Sequence, residues 1–296
     1  MSMKKVTLLI LSFAAMAFGS SAFAGEPAHS YPPHVIPGSE LRVLPRSPSG
    51  RQYQLHIGLP ASYSKDPTRH YPVVYVTDGY WDFQKITAVE GVLFYDKLAP
   101  EFIVVGIGYP GENLDYNTMR LWELAPTTFP GRTAEESGHS AEFAQTIKNE
   151  IIPFVEKEYR VDPSFRVMSG SSMGGLFTLF MMFTYPDLFQ GYVAASPAAA
   201  ECNDWLFGFE DAFAKTGKPI NARLFISGGG DEIPSFLYGS IRINSKIASH
   251  HYAGLTQQYR FMEGERHTTM QLDSYVRGLM FVFVPRAPET GPASKW

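Results

Sequence analysis

Short apolar runs recur along the chain and predict the strands of a sheet. Residues 51–60 (RQYQLHIGLP) alternate apolar with polar or small side chains, which is the periodicity of a strand. The runs 72–77 (PVVYVT) and 102–108 (FIVVGIG) are apolar throughout. Further runs follow at 166–169, 192–195, 223–227 and 258–262. Runs that are apolar on both faces are typical of a parallel sheet.

Helical periodicity lies between these runs. Residues 141–159 place Phe143, Ile147, Ile151 and Val155 on one face, and Pro153 predicts a kink. Two more helices are expected at 173–185 and 268–283. This alternation predicts an α/β fold with a mostly parallel central sheet flanked by helices. Because no internal repeat or long linker is present, one domain at 41–284 is favoured over two.

The two ends of the chain carry different signals. Lys4 and Lys5 precede an apolar run at 6–18, and small residues end at Ala24, which is the pattern of a signal peptide at 1–24. An uncleaved anchor is the alternative, but a membrane span needs about 20 apolar residues. Cleavage after Ala24 predicts a periplasmic or secreted protein. Residues 25–40 are expected to form an extended leader and 285–296 a flexible tail.

Charge and composition exclude several classes of partner. The formal net charge of −4 gives no basic surface for nucleic acid and no polybasic patch for a membrane, so no stable membrane insertion of the mature chain is expected. Cys202 is the single cysteine, so no intramolecular disulfide can form, and a buried thiol is favoured over a reactive one. No spacing of His or Cys suggests a metal, and no cofactor is predicted. The sequence predicts no oligomeric state.

The segment 165–177 (FRVMSGSSMGGLF) joins a predicted strand to a predicted helix. Residues 170–174 form G-x-S-x-G, the nucleophile-elbow pattern, in the required strand-to-helix context. Only Ser172 has glycine two residues before and two after it, so Ser172 is the candidate nucleophile rather than Ser169 or Ser171. The N–H of Met173 would face a developing oxyanion. The alternative is a small-residue turn without chemistry.

A serine nucleophile needs a base and an acid that orients it. His267 follows the last predicted strand, where the base of an α/β-hydrolase belongs, whereas His250 and His251 end a polar helical segment and suit a solvated surface. The acid is expected after the strand 223–227. Asp231 and Glu232 both fit there, and the sequence does not choose between them.

Other residues near the predicted site have two interpretations each. The N–H of Gly79 or Tyr80 is the candidate second oxyanion donor, with a plain turn as the alternative. The aromatic segments 80–83 and 117–122 suit stacking on a ligand, with core or lid packing as the favoured alternative. Arg120, Arg132 and Arg242 could contact an anionic ligand, but surface charges are the favoured interpretation.

A family resemblance rests on the segments YPVVYVTDGYWDF, RVMSGSSMGGLFTLF, LFISGGGDE and GERH. Over about 41–284 the chain resembles the putative esterase family of α/β-hydrolases. That family includes ferric-enterobactin esterases, and it is similar to S-formylglutathione hydrolases and feruloyl esterases. The resemblance implies Ser172 as nucleophile and His267 as base, with an acid that can be weakly defined, so that a Ser-His dyad can suffice. Ser196-Pro197 also matches, whereas this chain has alanines at 198–200, where many members of the family have tryptophans.

The expected function is a secreted serine esterase that cleaves carboxylic esters through a Ser-His-acid triad and an acyl-enzyme. Its substrate is a small-molecule ester, with a siderophore ester of the enterobactin type as one candidate. The alternatives are a carbohydrate or feruloyl esterase, and an acyltransferase that uses the same triad. A non-catalytic binding protein is the least favoured hypothesis.

Overall fold

The computed structural model describes residues 34–287. Residues 36–287 belong to one compact unit, and His34 and Val35 are not part of it. The predicted signal peptide at 1–24, most of the leader at 25–40 and most of the tail at 285–296 lie outside the described residues. Among the described helices, none combines the length and apolar character that a bilayer span requires.

Eight strands form one mixed sheet in the order β1-β2-β4-β3-β5-β6-β7-β8. The strand β2 pairs antiparallel with β1 and with β4, and every other neighbouring pair is parallel. The predicted mostly parallel sheet is therefore confirmed. The strands are β1 (Ser39–Val43), β2 (Gln54–Gly58), β3 (Tyr71–Val76), β4 (Ile103–Gly108), β5 (Val161–Ser171), β6 (Gly191–Ala195), β7 (Arg223–Gly229) and β8 (Thr256–Met262).

Eight α-helices lie between or after these strands in the described range 34–287. They are α1 (Gly79–Tyr95), α2 (Tyr116–Leu124), α3 (Ser140–Thr146), α4 (Ile152–Glu158), α5 (Met173–Thr184), α6 (Glu201–Ala214), α7 (Pro234–His250) and α8 (Gln271–Phe283). The helix expected at 141–159 is continuous through α3 and α4, but a π-helical turn at Ile147–Ile151 joins them. This turn precedes Pro153. In a regular α-helix, the ring of this proline would clash with the carbonyl group four residues earlier.

Each face of the sheet has its own hydrophobic core. The helices α1 and α8 cover one face, where Val74, Val193 and Phe225 of the strands meet Phe83 and Leu279. The other face packs against α2 to α7. The largely apolar helix α5 lies at its centre, since all its residues from Met173 to Phe183 are buried. This two-sided cover explains why β3, β4 and β6 are apolar at every position.

The carboxyl ends of the parallel strands meet along one edge of the sheet. In register, Val76 lies beside Ser169, Ser171 beside Ala195, Ala195 beside Ser227, and Gly229 beside Met262. The turns that follow β3, β5, β6, β7 and β8 therefore open on the same side. Parallel α/β sheets bind ligands at this edge.

Candidate active site

The strand-to-helix turn at Ser172 is sharp and strained. Ser172 has φ 57° and ψ −120°, a positive φ that a residue with a Cβ adopts at a cost of about 1–3 kcal/mol. Its N–H donates to the carbonyl of Ala195 at 3.0 Å, and its carbonyl accepts from the N–H of Ala198 at 2.9 Å. These bonds to the β6–α6 turn hold the strained conformation in place.

No side chain would fit at either of the two glycines that flank Ser172. A Cβ on Gly170 would stand 2.5 Å from the backbone of Gly174 and 2.4 Å from Thr77 Oγ1. A Cβ on Gly174 would stand 2.3 Å from the same hydroxyl. The turn can therefore close against Thr77 only because both residues lack a side chain.

The three serines of the turn have different surroundings. Ser169 and Ser171 are buried, and Ser171 Oγ donates to the buried Asp82 at 3.0 Å. Ser172 is partly exposed at the edge of the sheet. Within the described residues, Ser172 Oγ has no hydrogen-bond partner, so this hydroxyl is the one available to a ligand.

His267 lies on the turn after β8, with its Nδ1 atom between two oxygens. Glu232 Oε1 and Ser196 Oγ are each 3.2 Å from Nδ1. The ring packs on Phe236, with 4.2 Å between the ring centroids, and the side chain remains 31% exposed. Nε2 has no hydrogen-bond partner in the part of the chain that the structure describes. This nitrogen is therefore available for a further hydrogen bond.

The structure separates the two candidate acids. The side chain of Glu232 is fully buried beside His267, and its Oε2 has no hydrogen-bond partner among residues 34–287. Asp231 is exposed, and its N–H donates to the carbonyl of Glu265 at 2.9 Å. Gly229 makes this arrangement possible, because a Cβ there would stand 2.5 Å from the Glu265 carbonyl oxygen and 3.1 Å from Glu232 Cγ.

The three candidate oxyanion donors lie at helix N-termini. Met173 begins α5, while Gly79 and Tyr80 begin α1. None of their N–H groups has an acceptor among the described residues, as expected for the first turn of a helix. The start of α1 abuts the serine turn, since Asp78 Oδ2 is 3.2 Å from the position of a Cβ on Gly174.

Arg120 is not the surface charge that the sequence favours. Its guanidinium donates to both carboxylate oxygens of Asp78, at 2.7 and 2.6 Å, and both side chains are largely buried. Burial raises the pKa of Asp78, and the Arg120 guanidinium opposes that shift. The pair connects α2 to the start of α1.

Exposed aromatic rings lie beside that ion pair. Tyr80 and Tyr116 stack with 4.0 Å between their centroids and 17° between their planes. Trp81 completes the cluster, and the Arg120 guanidinium lies 5.3 Å from its ring centroid. Tyr80 is 50% and Trp81 39% exposed, so these two rings are not core residues. We call Tyr80, Trp81 and Tyr116 the aromatic platform.

Two other arginines are engaged on the surface. Arg132 is 3.9 Å from Glu136, and Arg242 donates to both oxygens of Asp204 at 3.2 and 2.9 Å. Arg242 also lines an open cleft of about 560 Å³ that includes Pro234, two residues beyond Glu232. Their exposure agrees with the favoured interpretation of these two residues as surface charges.

One cluster in the described chain has the geometry of metal ligands, and His250 is part of it. Glu210, Asp211 and His250 come together on α6 and α7. His250 is exposed, as expected for a solvated surface, and its Nδ1 lies 2.6 Å from Glu210 Oε1. The Lys246 ammonium lies 2.5 Å from Asp211 Oδ1 and 3.5 Å from Glu210 Oε2, and it supplies the cation of the cluster.

Two features of the site were not predicted. The Ser196 hydroxyl contacts His267 Nδ1, although the sequence suggested Ser196 only through a family motif; its place at the carboxyl end of β6 was the available signal. The Asp78–Arg120 pair joins residues 42 positions apart, which no local pattern indicates.

Cys202 is buried, as the sequence favours, and burial raises the pKa of its thiol to about 11.

Comparison with known proteins places this chain among esterases. The profile of the family described as "Putative esterase" matches residues 47–233, which include Ser172 and Glu232. Ferri-bacillibactin esterase BesA of Bacillus subtilis (strain 168) is 27% identical over 272 residues, 86% of this chain and 92% of the relative. The siderophore triacetylfusarinine C esterase of Aspergillus fumigatus is 29% identical over 174 residues, 56% of this chain and 58% of the relative.

Solved structures give the same fold. A BES protein from Bacillus cereus superposes with a TM-score of 0.76 at 25% identity, covering 86% of this chain and 98% of the other. Siderophore hydrolase EstB from Aspergillus nidulans superposes with a TM-score of 0.74 at 23% identity, covering 87% of this chain and all of the other (100%). The sheet order and these superpositions confirm the predicted α/β-hydrolase fold.

Proposed function

The chain belongs to the Putative esterase family and is a hydrolase of ester bonds, and from this premise we propose that it is a serine esterase acting on a siderophore ester. The observation that carries the mechanism is the position of His267, whose Nδ1 is 3.2 Å from the buried Glu232 and whose Nε2 is unpaired among the described residues. An imidazole held in this way can act as a base through Nε2.

Acylation begins when Ser172 Oγ attacks the ester carbonyl and its proton passes to His267 Nε2. The negative charge that develops on the carbonyl oxygen is stabilised by the N–H of Met173, together with that of Gly79 or Tyr80. Glu232 accepts a hydrogen bond from Nδ1–H and stabilises the imidazolium that forms. The imidazolium then protonates the leaving alcohol, and an acyl-enzyme remains on Ser172.

Deacylation repeats these steps with water. His267 Nε2 takes a proton from the water molecule as its oxygen attacks the acyl carbonyl, and it returns the proton to Ser172 Oγ when the acid leaves. This cycle is redox-neutral and uses only the residues named. The proposal excludes Asp231 from the triad because its carboxylate is exposed and makes no contact with His267.

The siderophore part of the proposal rests on the relatives and on the aromatic platform. The relatives' names include ferri-bacillibactin, triacetylfusarinine C and enterobactin esters. The platform lies next to the proposed oxyanion donors at the start of α1, and Tyr80 and Trp81 present exposed ring faces. Aromatic rings of a catecholate substrate can stack on such faces. Export by the signal peptide at 1–24 belongs to the same proposal.

The nucleophile and the base are tested by Ser172→Ala and His267→Ala. Each change should lower kcat on p-nitrophenyl butyrate by about 10³-fold or more, because neither step proceeds without the pair. Ser171→Ala is the matched control and should keep activity, since its hydroxyl is buried and donates to Asp82. Labelling by a fluorophosphonate probe should disappear in Ser172→Ala alone among the serine variants. Wild-type turnover in Ser172→Ala would contradict the mechanism.

The substrate is tested by a panel of esters at equal concentration. Catecholate trilactones, feruloyl esters and acetylated sugars are compared by kcat/KM, with and without an added alcohol acceptor. The proposal expects the trilactone to be preferred and the free acid to be the main product. Preference for feruloyl or sugar esters would contradict the siderophore assignment, and transfer to the alcohol in place of water would make the enzyme an acyltransferase.

A further inference from the structure

A cavity separate from the candidate active site lies on the face of the sheet that α1 and α8 cover, opposite α5. It has a volume of about 340 Å³ and is bounded by β7, β8, α8 and the turn after α1. In register, Phe225 lies beside Gln258, four residues before the carboxyl end of β7 at Gly229. At about 3.3 Å per residue, the cavity lies about 13 Å back along the strands from the edge that carries the candidate active site.

The floor of this cavity is apolar. Phe225 is buried, and its ring centroid is 6.4 Å from that of Phe281. Met280 and Leu98, both partly buried, complete the apolar wall. The volume lies at the lower end of the range for small-molecule sites, about 300–1,000 Å³. Because α8 packs on β6 and β7, it leaves this side of β8 open, so the cavity has a mouth toward solvent.

Three cationic side chains stand around the mouth. Lys97, Arg260 and Arg277 all line the cavity. Arg277 donates to Asp273 at 2.8 Å, whereas Lys97 and Arg260 form no ion pair with any residue in the described range 34–287. Lys97 holds a left-handed backbone with φ 59°, where helices that end in this way usually carry glycine. The chain therefore has a lysine side chain with its ammonium group at a position where glycine would have no side chain.

We propose that this cavity is a binding site for a single-chain anionic amphiphile, an alkyl carboxylate of medium length. The alkyl chain lies on Phe225, Phe281 and Met280, and the carboxylate lies between Arg260 and Lys97. The charge pattern selects this ligand class, because two cations without ion-pair partners attract an anion while the apolar floor offers nothing to a fully polar one. The site is separate from the proposed esterase chemistry and does not depend on it.

The test is isothermal titration of the full chain with decanoate, compared with decyl maltoside and decyltrimethylammonium. These probes share the alkyl chain and differ in headgroup charge. Decanoate should bind with one site and the lowest Kd. Arg260→Glu should raise that Kd about 10-fold or more, since charge reversal turns an attraction into a repulsion. Met280→Glu should do the same by placing a charge on the apolar wall.

Lys65→Glu is the matched control, because it makes the same change of charge at an exposed lysine that does not line the cavity. It should leave the Kd for decanoate within about twofold of wild type, a change below 0.5 kcal/mol. None of the three variants should alter turnover of p-nitrophenyl butyrate. Absence of decanoate binding, equal binding of the three probes, or a Kd that survives both cavity variants would overturn the proposal.

Discussion

One nitrogen of His267 is shared by two oxygens from neighbouring strands. Glu232 follows β7 and Ser196 follows β6, and each oxygen is 3.2 Å from Nδ1. Ser196 is fully buried and has φ 40°, so its backbone is held in an unfavourable region to bring the hydroxyl to this point. Glu232 brings the negative charge, and Ser196 provides a second polar contact. In the proposed mechanism, the carboxylate is therefore the partner that stabilises the imidazolium.

Removing that charge separates Glu232 from Asp231. Glu232→Gln should lower kcat on p-nitrophenyl butyrate by about 10²–10⁴-fold, because the imidazolium loses its counter-charge and its preferred tautomer. Asp231→Asn should stay within about threefold of wild type, since its side chain is exposed and surface substitutions have small effects. The two variants are compared by kcat and KM at equal protein concentration. Similar rates in both would leave a Ser-His dyad, and a loss confined to Asp231→Asn would contradict the assignment.

At the residue scale, local rules single out one candidate serine and do not choose between the two candidate acids. The glycine register singles out Ser172 because steric collision is a property of residues two positions away. The choice between Asp231 and Glu232 depends instead on how the chain turns after Gly229 against the carbonyl of Glu265, 36 residues after Gly229 in sequence. A spacing of G-x-x-D or G-x-x-E contains no information about that contact.

At the scale of elements, the start of α1 and the β5–α5 turn are fitted to each other at Thr77. The Thr77 hydroxyl lies where side chains on Gly170 or Gly174 would stand, and it has no hydrogen-bond partner among the described residues. Its removal therefore costs no hydrogen bond within the described structure. Thr77→Ala therefore removes the hydroxyl that a side chain at position 170 or 174 would meet. It leaves the close approach between Gly170 and the backbone of Gly174 unchanged.

Gly174→Ala should lower the free energy of unfolding by about 1–3 kcal/mol, the usual cost of overpacking. Thr77→Ala in the same chain should restore most of that loss, because the nearest obstacle at 2.3 Å has gone. The same partner change should not restore Gly170→Ala, whose Cβ also meets the backbone of Gly174 at 2.5 Å. Urea denaturation of the single and double variants measures these differences. Equal rescue of both glycine variants would contradict this description of the turn.

Elements with a strong apolar period were predicted, and those with a weak one were not. The helices expected at 173–185 and 268–283 lie close to the bounds of α5 and α8, and each predicted apolar run overlaps an observed strand. The exception in length is β5, which begins at Val161, five residues before the predicted start at 166. The helices α1, α2 and α6 were missed, as was β1. In α1 only one stripe is buried while Tyr80, Trp81, Val92 and Tyr95 are exposed, so apolar residues stand on both sides. In α6 the start is irregular, since Cys202, Asn203 and Asp204 have left-handed backbones.

At the scale of the whole molecule, a buried carboxyl joins α2 to the sheet. Glu123 on α2 accepts hydrogen bonds from Tyr53 of the β2 region at 3.0 Å and from Tyr109, which follows β4, at 2.6 Å. Burial raises the pKa of Glu123 to about 7 from an ordinary value of 4.5, although the tyrosine hydroxyls and Arg51 oppose the shift. The folded chain therefore holds this proton more tightly than the unfolded chain does.

Stability should fall as pH rises through this window. Between pH 4.5 and pH 7 the unfolded chain has released the proton and the folded chain has not, so each step upward favours unfolding. A pKa difference of this size corresponds to about 3 kcal/mol. Glu123→Gln should remove this term, so the wild type should lose about that much stability relative to the variant between pH 4.5 and pH 8. Urea denaturation across this range measures the difference, and parallel stability curves would contradict the prediction.

The overall architecture was predictable because the two faces of the sheet impose a simple alternation of strands and helices. The sheet order was not, since it depends on how β2 turns back between β1 and β4, and the paired residues, such as Leu55 and Ile107, are far apart in sequence. The buried contacts of Glu123 and of the Asp78–Arg120 pair are equally long-range. Sequence periodicity records which face is buried, and it does not record which partner buries it.

The aromatic platform has an optical consequence. Trp81 is one of four tryptophans in the chain, and it stands at the rim of the proposed ester site with a cation beside its ring. The emission of an indole depends on what lies against it. Aromatic rings of a substrate that stack on Trp81 would therefore change the fluorescence of the unlabelled protein before any bond is broken. Trp81 is therefore an intrinsic fluorescent probe of substrate binding, and the rates of binding and turnover can be measured separately in one experiment.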